Sequence, residues 1–157
     1  MSLTDFHRFK ELARQENVVF YYTGYFSQSI VTAMGDSLRL RLSSLDDASR
    51  PEKAARNVDK LAGEGAAMLF GGASSAAAIA AGKRAREYGL LYFGTLTYSN
   101  DTTGKDGHRY LFRECNSAWM SARVLGQYLA KQLPDKRYFY VTADYTWGNT
   151  TESSLRE

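Results

Sequence analysis

Three short loops carry the residue types that can bind a small molecule. The first, Gly71-Gly72-Ala73-Ser74-Ser75, joins an apolar strand-like run to an alanine-rich helical run. A helix N-terminus offers unpaired N–H groups and a partial positive charge, so this loop suits a carboxylate or a phosphate. Ser74 and Ser75 add hydroxyl donors. A simple turn before a capped helix explains the same residues, and both interpretations stay open.

A polar loop and an aromatic loop complete the candidate site. Residues 95–101 can present backbone carbonyls to an ammonium group, with Tyr98 as an aromatic wall. Residues 144–148 can supply an aromatic lid. A solvated loop and an aromatic ring packed on the next helix are the alternative interpretations. The candidate ligand-binding residues of the three loops are Ser74, Ser75, Thr97, Tyr98, Ser99, Tyr145 and Trp147.

The sequence contains no recognisable catalytic pattern or metal-ligand cluster. It has no Gly-x-Ser-x-Gly elbow and no His-Glu-x-x-His motif. The two histidines lie far apart, and the single cysteine, Cys115, excludes an internal disulfide. Asp46 and Asp47 are adjacent, which turns their side chains apart and favours a solvated loop over an acid–base dyad. We therefore expect no catalytic residue, metal or cofactor in this chain.

Charge and hydropathy restrict the partners. The 157 residues carry 20 basic and 17 acidic side chains, a net charge of +3, spread without long runs of one sign, so nucleic acid is not indicated. No apolar stretch approaches the roughly 20 residues that span a bilayer. The first eight residues lack the basic and then apolar pattern of a secretory leader, which predicts a cytoplasmic location for the chain as written.

Alternating strands and helices must position the three loops. Strands are predicted at Val18–Tyr22, Ala66–Phe70, Leu90–Phe93, Tyr110–Phe112 and Tyr138–Thr142. Helices are predicted at Asp5–Ala13, Ser27–Leu42, Pro51–Gly63, Ser75–Tyr88 and Ala118–Leu133, with a last one opening at Asn149. This order predicts an α/β fold, a parallel sheet flanked by helices, whose ligand loops lie at the carboxyl ends of the strands.

Candidate capping residues predict where three of the helices begin. Ser49 is predicted to cap the helix that begins at Pro51, with Glu52 completing a capping box. Ser74 or Ser75 is predicted to cap the following helix, and Ser117 the helix from Ala118.

Residues 46–157 resemble the type I periplasmic binding proteins, specifically the substrate-binding proteins of ABC importers for branched-chain amino acids, amides and urea. The matching stretches are Asp46–Ser49, Ala54–Val58 with Leu61, Phe70–Ala76, Ser99–Asp101 with Gly104-Lys105, His108–Tyr110 with Phe112-Arg113, Leu125–Leu129 and Ala143–Gly148. The resemblance implies a two-lobed α/β fold that closes on an amino acid, an amide or urea. It also implies a membrane ABC permease as partner, a periplasmic location and no enzymatic activity.

The same resemblance implies roles for the candidate residues. In the family, the turn that matches Ser74 and Ser75 holds the ligand's carboxylate or an equivalent acceptor. The loop that matches residues 97–99 adds hydrogen bonds, including bonds to the ligand's amine. The aromatic residue that matches Trp147, or Tyr145 beside it, covers the ligand from the second lobe.

The resemblance divides the chain into three segments. Residues 46–115 match a first lobe, and residues 116–157 match the beginning of a second lobe. Residues 1–45 predict a helix–strand–helix segment of different origin, in which Phe20–Gln28 faintly resembles the start of small bacterial histidine-kinase-like regulatory kinases. We therefore expect a truncated or chimeric solute-binding protein that binds weakly and self-associates. A cytoplasmic regulatory module of partner-switch signalling and a nonfunctional fragment are the alternatives.

Overall fold

The computed structural model describes residues 19–21 and 41–157, with side chains from residue 43 onward. The strands are β1 (Val19–Tyr21), β2 (Arg41–Leu42), β3 (Met68–Gly71), β4 (Leu91–Gly94) and β5 (Leu111–Arg113). The helices are α1 (Pro51–Gly63), α2 (Ser75–Glu87), α3 (Ala118–Gln132) and α4 (Thr146–Arg156), with a single 3₁₀ turn at Asn100–Thr102. No helix of the described residues is long and apolar enough to cross a membrane.

The five strands form one sheet in the order β2-β1-β3-β4-β5, and every pairing is parallel. The predicted α/β class with a parallel sheet is therefore confirmed. The register aligns Gly71, the last residue of β3, with Gly94, the last residue of β4. The loops that follow these two strands consequently leave the same edge of the sheet side by side.

A compact apolar cluster lies between the sheet and helices α1 and α2. Leu69 and Tyr92, on the two central strands, are fully buried there. The alanine-rich face of α2 lets that helix approach α1 and the sheet closely, because alanine side chains occupy little space. The cluster consists of Ala54, Val58, Leu61, Ala66, Leu69, Ala77, Ala78, Ala81, Ala85, Tyr92 and Leu111.

The start of the chain departs from one prediction. The strand predicted at Val18–Tyr22 is present over Val19–Tyr21, but the helix predicted over Ser27–Leu42 is wrong at its end, where Arg41–Leu42 forms β2. Leucine and arginine alternate from Leu38 to Leu42, a period of two that suits a strand. The rest of that predicted helix, and the one at Asp5–Ala13, lie outside the described residues.

The separate origin of residues 1–45 stays a prediction. Strand β1 pairs with β3, and so the segment before residue 46 contributes to the same sheet as the segment after it. Most of the kinase-like stretch Phe20–Gln28 lies outside the described residues, and that resemblance carries no further argument.

The predicted cap at Ser49 is wrong. Asp47 accepts a hydrogen bond from the Ser49 backbone N–H at 2.7 Å, and Ser49 adopts a left-handed conformation with φ of 56°. Arg50 therefore occupies the N-cap position, its side chain forms no cap hydrogen bond, and the helix begins at Pro51. At α3 the prediction is right: the Ser117 hydroxyl accepts from the Met120 N–H at 3.2 Å.

The strand predicted at Tyr138–Thr142 is not formed. Residues 135–143 contain no helix or strand. A β-strand is completed by hydrogen bonds to a neighbour, and no strand of the described residues lies beside this segment. The β-branched and aromatic composition favours a strand, but a strand also requires a sheet partner.

An ion pair links α1 to α2 and makes stability depend on pH. Arg84 Nε donates to Asp59 Oδ1 at 2.5 Å, and the Tyr88 hydroxyl donates to the same oxygen at 2.9 Å. The hydrogen bond from Arg84 holds the pKa of the Asp59 carboxyl below its ordinary value of about 4. The pair therefore stabilises the folded chain above about pH 4, and this stabilisation is lost as the pH falls through the lowered pKa.

We expect Asp59→Asn to remove this pH-dependent stabilisation. Urea unfolding at about pH 7 is expected to show a less stable variant, and at about pH 2 the difference from the parent chain is expected to vanish. Glu114→Gln is the control, because Glu114 forms no ion pair with a described residue. A difference that stays constant over this pH range would contradict the assignment.

Candidate functional site

Two backbone hydrogen bonds join the loops after β3 and β4. The Thr95 N–H donates to the Gly71 carbonyl at 3.1 Å, and the Leu96 N–H donates to the Gly72 carbonyl at 3.3 Å. These bonds extend the parallel pairing past the strand ends. Two of the three predicted loops are thus held together at the carboxyl edge of the sheet.

Gly94, at the end of β4, and Gly72, directly after β3, make room for Thr97. A Cβ placed on Gly94 would lie 2.5 Å from Thr97 Oγ1, and a Cβ on Gly72 would lie 3.1 Å from Thr97 Cγ2. The Thr97 side chain is fully buried between these two positions. Thr97 therefore packs beneath the loops, where solvent does not reach it.

A buried hydrogen bond joins Ser75 to Ser99. The Ser99 N–H donates to Ser75 Oγ at 3.1 Å, and both residues are buried. From the other side, Arg113 Nη1 donates to the Ser99 carbonyl at 2.9 Å. Ser75 at the start of α2 and Arg113 at the end of β5 thus fix the middle of the second loop.

The third loop meets the other two at the same residue. Ser99 Oγ lies 3.5 Å from the Thr146 carbonyl, and Thr150 Oγ1 lies 3.2 Å from Ser99 Oγ. Asn100 Nδ2 also donates to Ser154 Oγ at 2.8 Å, which holds the body of α4 against the 3₁₀ turn. The three loops selected from the sequence therefore converge on Ser99.

Four of the seven predicted residues remain accessible around this junction. Ser74 and Tyr98 are half-buried. Tyr145 and Trp147 are 40% and 36% exposed, and their ring centroids lie 6.0 Å apart with an interplanar angle of 39°. The other three, Ser75, Thr97 and Ser99, are buried and hold the loops in place.

Two helices begin beside this junction, since Ser75 and Thr146 both contact Ser99. Ser74 occupies the N-cap position of α2, but its side chain forms no cap hydrogen bond, so the prediction of a capping serine at this helix is wrong. Helix α4 starts after Tyr145 and likewise has no side-chain cap. Uncapped N–H groups and the helix dipole favour an anion or a carbonyl oxygen at such a place.

The sequence analysis did not assign Arg113 or the first turn of α4 to the candidate site. Arg113 ends β5, and β5 is parallel to β4, so its position at the shared carboxyl edge could have been expected. Helix α4 begins at Thr146, three residues before the predicted start. Across the described ranges, no group of three His, Cys, Asp or Glu side chains could hold a metal ion.

Comparison with known proteins gives a family and a set of similar folds. Residues 33–157 match the family model described as periplasmic binding protein. No curated protein matches the chain. Among solved structures, the leucine-, isoleucine-, valine-, threonine- and alanine-binding protein from Brucella ovis is 21% identical, with a TM-score of 0.74 over 90% of this chain and 43% of that one.

Two further solved structures are similar over the same share of this chain. An ABC transporter substrate-binding protein from Desulfitobacterium hafniense, in complex with Leu, is 23% identical with a TM-score of 0.73 and is covered over 46% of its length. A solute-binding protein from Rhodopseudomonas palustris, in complex with 3,4-dihydroxybenzoic acid, is 18% identical with a TM-score of 0.77 and is covered over 43%. The chain therefore spans less than half the length of these structures.

Proposed function

The chain belongs to the periplasmic binding protein family, and from that premise we propose that it binds an amino acid, an amide or urea as the substrate-binding component of an ABC importer. Proteins of this family bind solutes for transport, do not act as enzymes and are periplasmic. We extend these properties to this chain, with a membrane permease as its protein partner. The similar structures hold leucine in one case and an aromatic acid in another.

The convergence of three loops on Ser99 is the observation that carries this proposal. It places the uncapped start of α2 and the uncapped start of α4 at one edge of the sheet. Ligands of open α/β sheets bind at that edge. A carboxylate, or the carbonyl oxygen of an amide or urea, fits the partial positive charge that two helix N-termini supply.

Burial divides the seven candidate residues into two roles. We assign ligand contact to the accessible side chains, in which Ser74 donates to the ligand's oxygen and Tyr98, Tyr145 and Trp147 surround its body. We assign positioning to the buried side chains Ser75, Thr97 and Ser99. Their hydrogen bonds and packing keep the loops at a fixed separation, which reduces the conformational entropy that the loops lose on binding.

Two serine variants test this division. Ser74→Ala removes a hydroxyl without breaking a cap bond, so we expect affinity to fall about two- to twelvefold with unchanged stability, as for a hydrogen bond worth about 0.5–1.5 kcal/mol. Ser75→Ala leaves the buried Ser99 N–H without its acceptor, so we expect unfolding free energy to fall by about 1–3 kcal/mol.

Calorimetry of the chain with leucine, acetamide, urea and benzoate provides the affinities, and urea unfolding provides the stabilities. Binding of leucine, acetamide or urea supports the proposal, and Ser74→Ala then tests the site. Binding of benzoate alone would replace the proposed ligand class by aromatic acids. If no compound of the panel binds, the proposed function is wrong. If folded Ser74→Ala keeps full affinity, the proposed site is wrong.

A further inference from the structure

The side chain of His108 holds the residue that precedes β5. The Tyr110 N–H donates to His108 Nδ1 at 3.3 Å, and the Tyr110 carbonyl accepts from the Tyr92 N–H of β4 at 2.7 Å. The imidazole on one side and β4 on the other thus fix the entry to β5. Because Nδ1 accepts this hydrogen bond, the neutral ring carries its proton on Nε2.

The other nitrogen of the ring is buried. Nε2 has no contact with solvent, and no group that the structure describes satisfies it with a hydrogen bond of normal geometry. Helix α2 and β5 pack closely in this part of the chain, since a Cβ on Gly82 would lie 3.0 Å from Leu111 Cδ1. A charged imidazole is costly at such a place, because it cannot keep its full hydration.

Two cations of α2 add to this cost. Arg86 and Lys83 both disfavour the charged form of the ring. The Asp106 carboxylate lies 2.5 Å from Lys83 Nζ, whereas Arg86 forms no ion pair with a described residue. The remaining charge on the loop belongs to Arg109, whose guanidinium lies 5.5 Å from the Tyr110 ring centroid. No carboxylate is among the groups that act on the imidazole.

These surroundings set the direction in which pH acts. Burial, followed by the charges of Arg86 and Lys83, holds the pKa of His108 below its ordinary value of about 6.5, and the Gly82 carbonyl opposes them. The neutral ring therefore stabilises the folded chain above about pH 6.5, and this stabilisation is lost as the pH falls through the lowered pKa. A proton added at Nδ1 also sets an N–H group against the Tyr110 N–H, so that the hydrogen bond between them breaks.

The two ends of β5 connect this hydrogen bond to the candidate site. The strand has only three residues, and its last residue, Arg113, donates to the Ser99 carbonyl at 2.9 Å. Loss of the hydrogen bond at the start of so short a strand loosens the whole of it. The bond between Arg113 and Ser99, on which the three loops converge, is then loosened as well.

We propose that the hydrogen bond between Tyr110 and His108 is an acid-sensitive latch, closed by the neutral ring and opened by its protonation, which releases the start of β5 from β4 and α2. All of the contacts that carry this inference lie within residues 82–113. It holds or fails independently of the proposed ligand.

Amide hydrogen exchange, followed by NMR at pH 7.5 and at pH 5, tests the latch at the Tyr110 N–H. We expect the protection factor of this amide to fall about tenfold at the lower pH. An imidazole with the ordinary pKa of about 6.5 is about thirtyfold more often charged than neutral at pH 5, which sets the upper limit of the effect.

Two variants separate the latch from other titrating groups. In His108→Asn the side-chain oxygen takes the place of Nδ1 as acceptor and does not titrate, so we expect the same protection of the Tyr110 amide at both pH values. His7→Asn removes the only other histidine of the chain and is the matched control. It is expected to show the same fall as the parent chain. Circular dichroism verifies that both variants fold.

Constant protection in the parent chain overturns the proposal. A fall that persists in His108→Asn, or that disappears in His7→Asn, overturns it equally. The ring titration of His108 in the parent chain, measured by NMR, needs no variant that must fold. Its midpoint is expected to lie below about pH 6.5 and to coincide with the midpoint of the shift of the Tyr110 amide. A higher midpoint, or two different midpoints, would contradict the latch.

Discussion

Gly72→Ala is expected to lower the free energy of unfolding by about 2–5 kcal/mol, the sum of a left-handed backbone penalty and an overpacking penalty. Gly72 has a φ of 90°, which residues with a side chain rarely adopt. An added Cβ would also lie 2.6 Å from the Ala78 Cβ and 3.0 Å from the Tyr92 hydroxyl oxygen. Because Gly72 lies beneath the candidate site, loop positions there are expected to shift as well.

Gly65→Ala is the matched control for this substitution. Gly65 has a φ of 83°, but an added Cβ there meets no atom within 4 Å. The unfolding free energy of Gly65→Ala is expected to fall only by the backbone penalty of about 1–2 kcal/mol. Urea unfolding of both variants separates the two causes. Equal losses for Gly72→Ala and Gly65→Ala would mean that the close approach of α2 to the loop contributes nothing.

Leu69→Ala is expected to cost about 2–5 kcal/mol of unfolding free energy, because it removes a fully buried side chain and leaves a cavity. Leu69 lies on β3, the middle strand of the sheet, and faces the apolar cluster under α1 and α2. Helices on this face cannot collapse into the space without losing their contacts with each other.

Leu91→Ala provides the comparison, since it deletes the same atoms from the neighbouring strand. Leu91 is only half-buried, so its replacement by alanine loses less transfer free energy and leaves a smaller cavity. We expect its loss to be clearly smaller in the same urea titration. A Leu91→Ala loss as large as that of Leu69→Ala would place the stabilising core on the other face of the sheet.

The sequence correctly predicted the elements that depend only on residues close together in the chain. The buried strands at β3 and β4, the proline start of α1 and the Ser117 cap of α3 follow from residues close together in sequence. The segment at Tyr138–Thr142 could not be decided in this way, because strand formation depends on a hydrogen-bonding neighbour. The end of the Ser27–Leu42 prediction is wrong for a different reason, since the alternation of leucine and arginine before β2 has the period of a strand.

For the candidate site, the sequence predicted the three loops but not which side chains are buried or which hydrogen bonds they form. The loops could be placed together because parallel strands share a carboxyl edge. The hydrogen bond between Ser75 and Ser99 joins residues from different loops, and its existence depends on the register of β3 and β4. Which serines are buried and which are accessible is likewise a result of packing, and no local pattern contains it.

The all-parallel sheet has a consequence for the order of folding. Every strand pairing joins residues far apart in sequence, such as Met68 with Leu91, and the pairing of Phe20 with Met68 spans much more chain. Closing longer loops costs more entropy, so the β3–β4 and β4–β5 pairings, whose partners lie closer in sequence than those of β1 and β3, are best placed to form first, with β1 and β2 joining late. Until they arrive, an open edge of β3 remains available to other chains, and folding at low protein concentration avoids that competition.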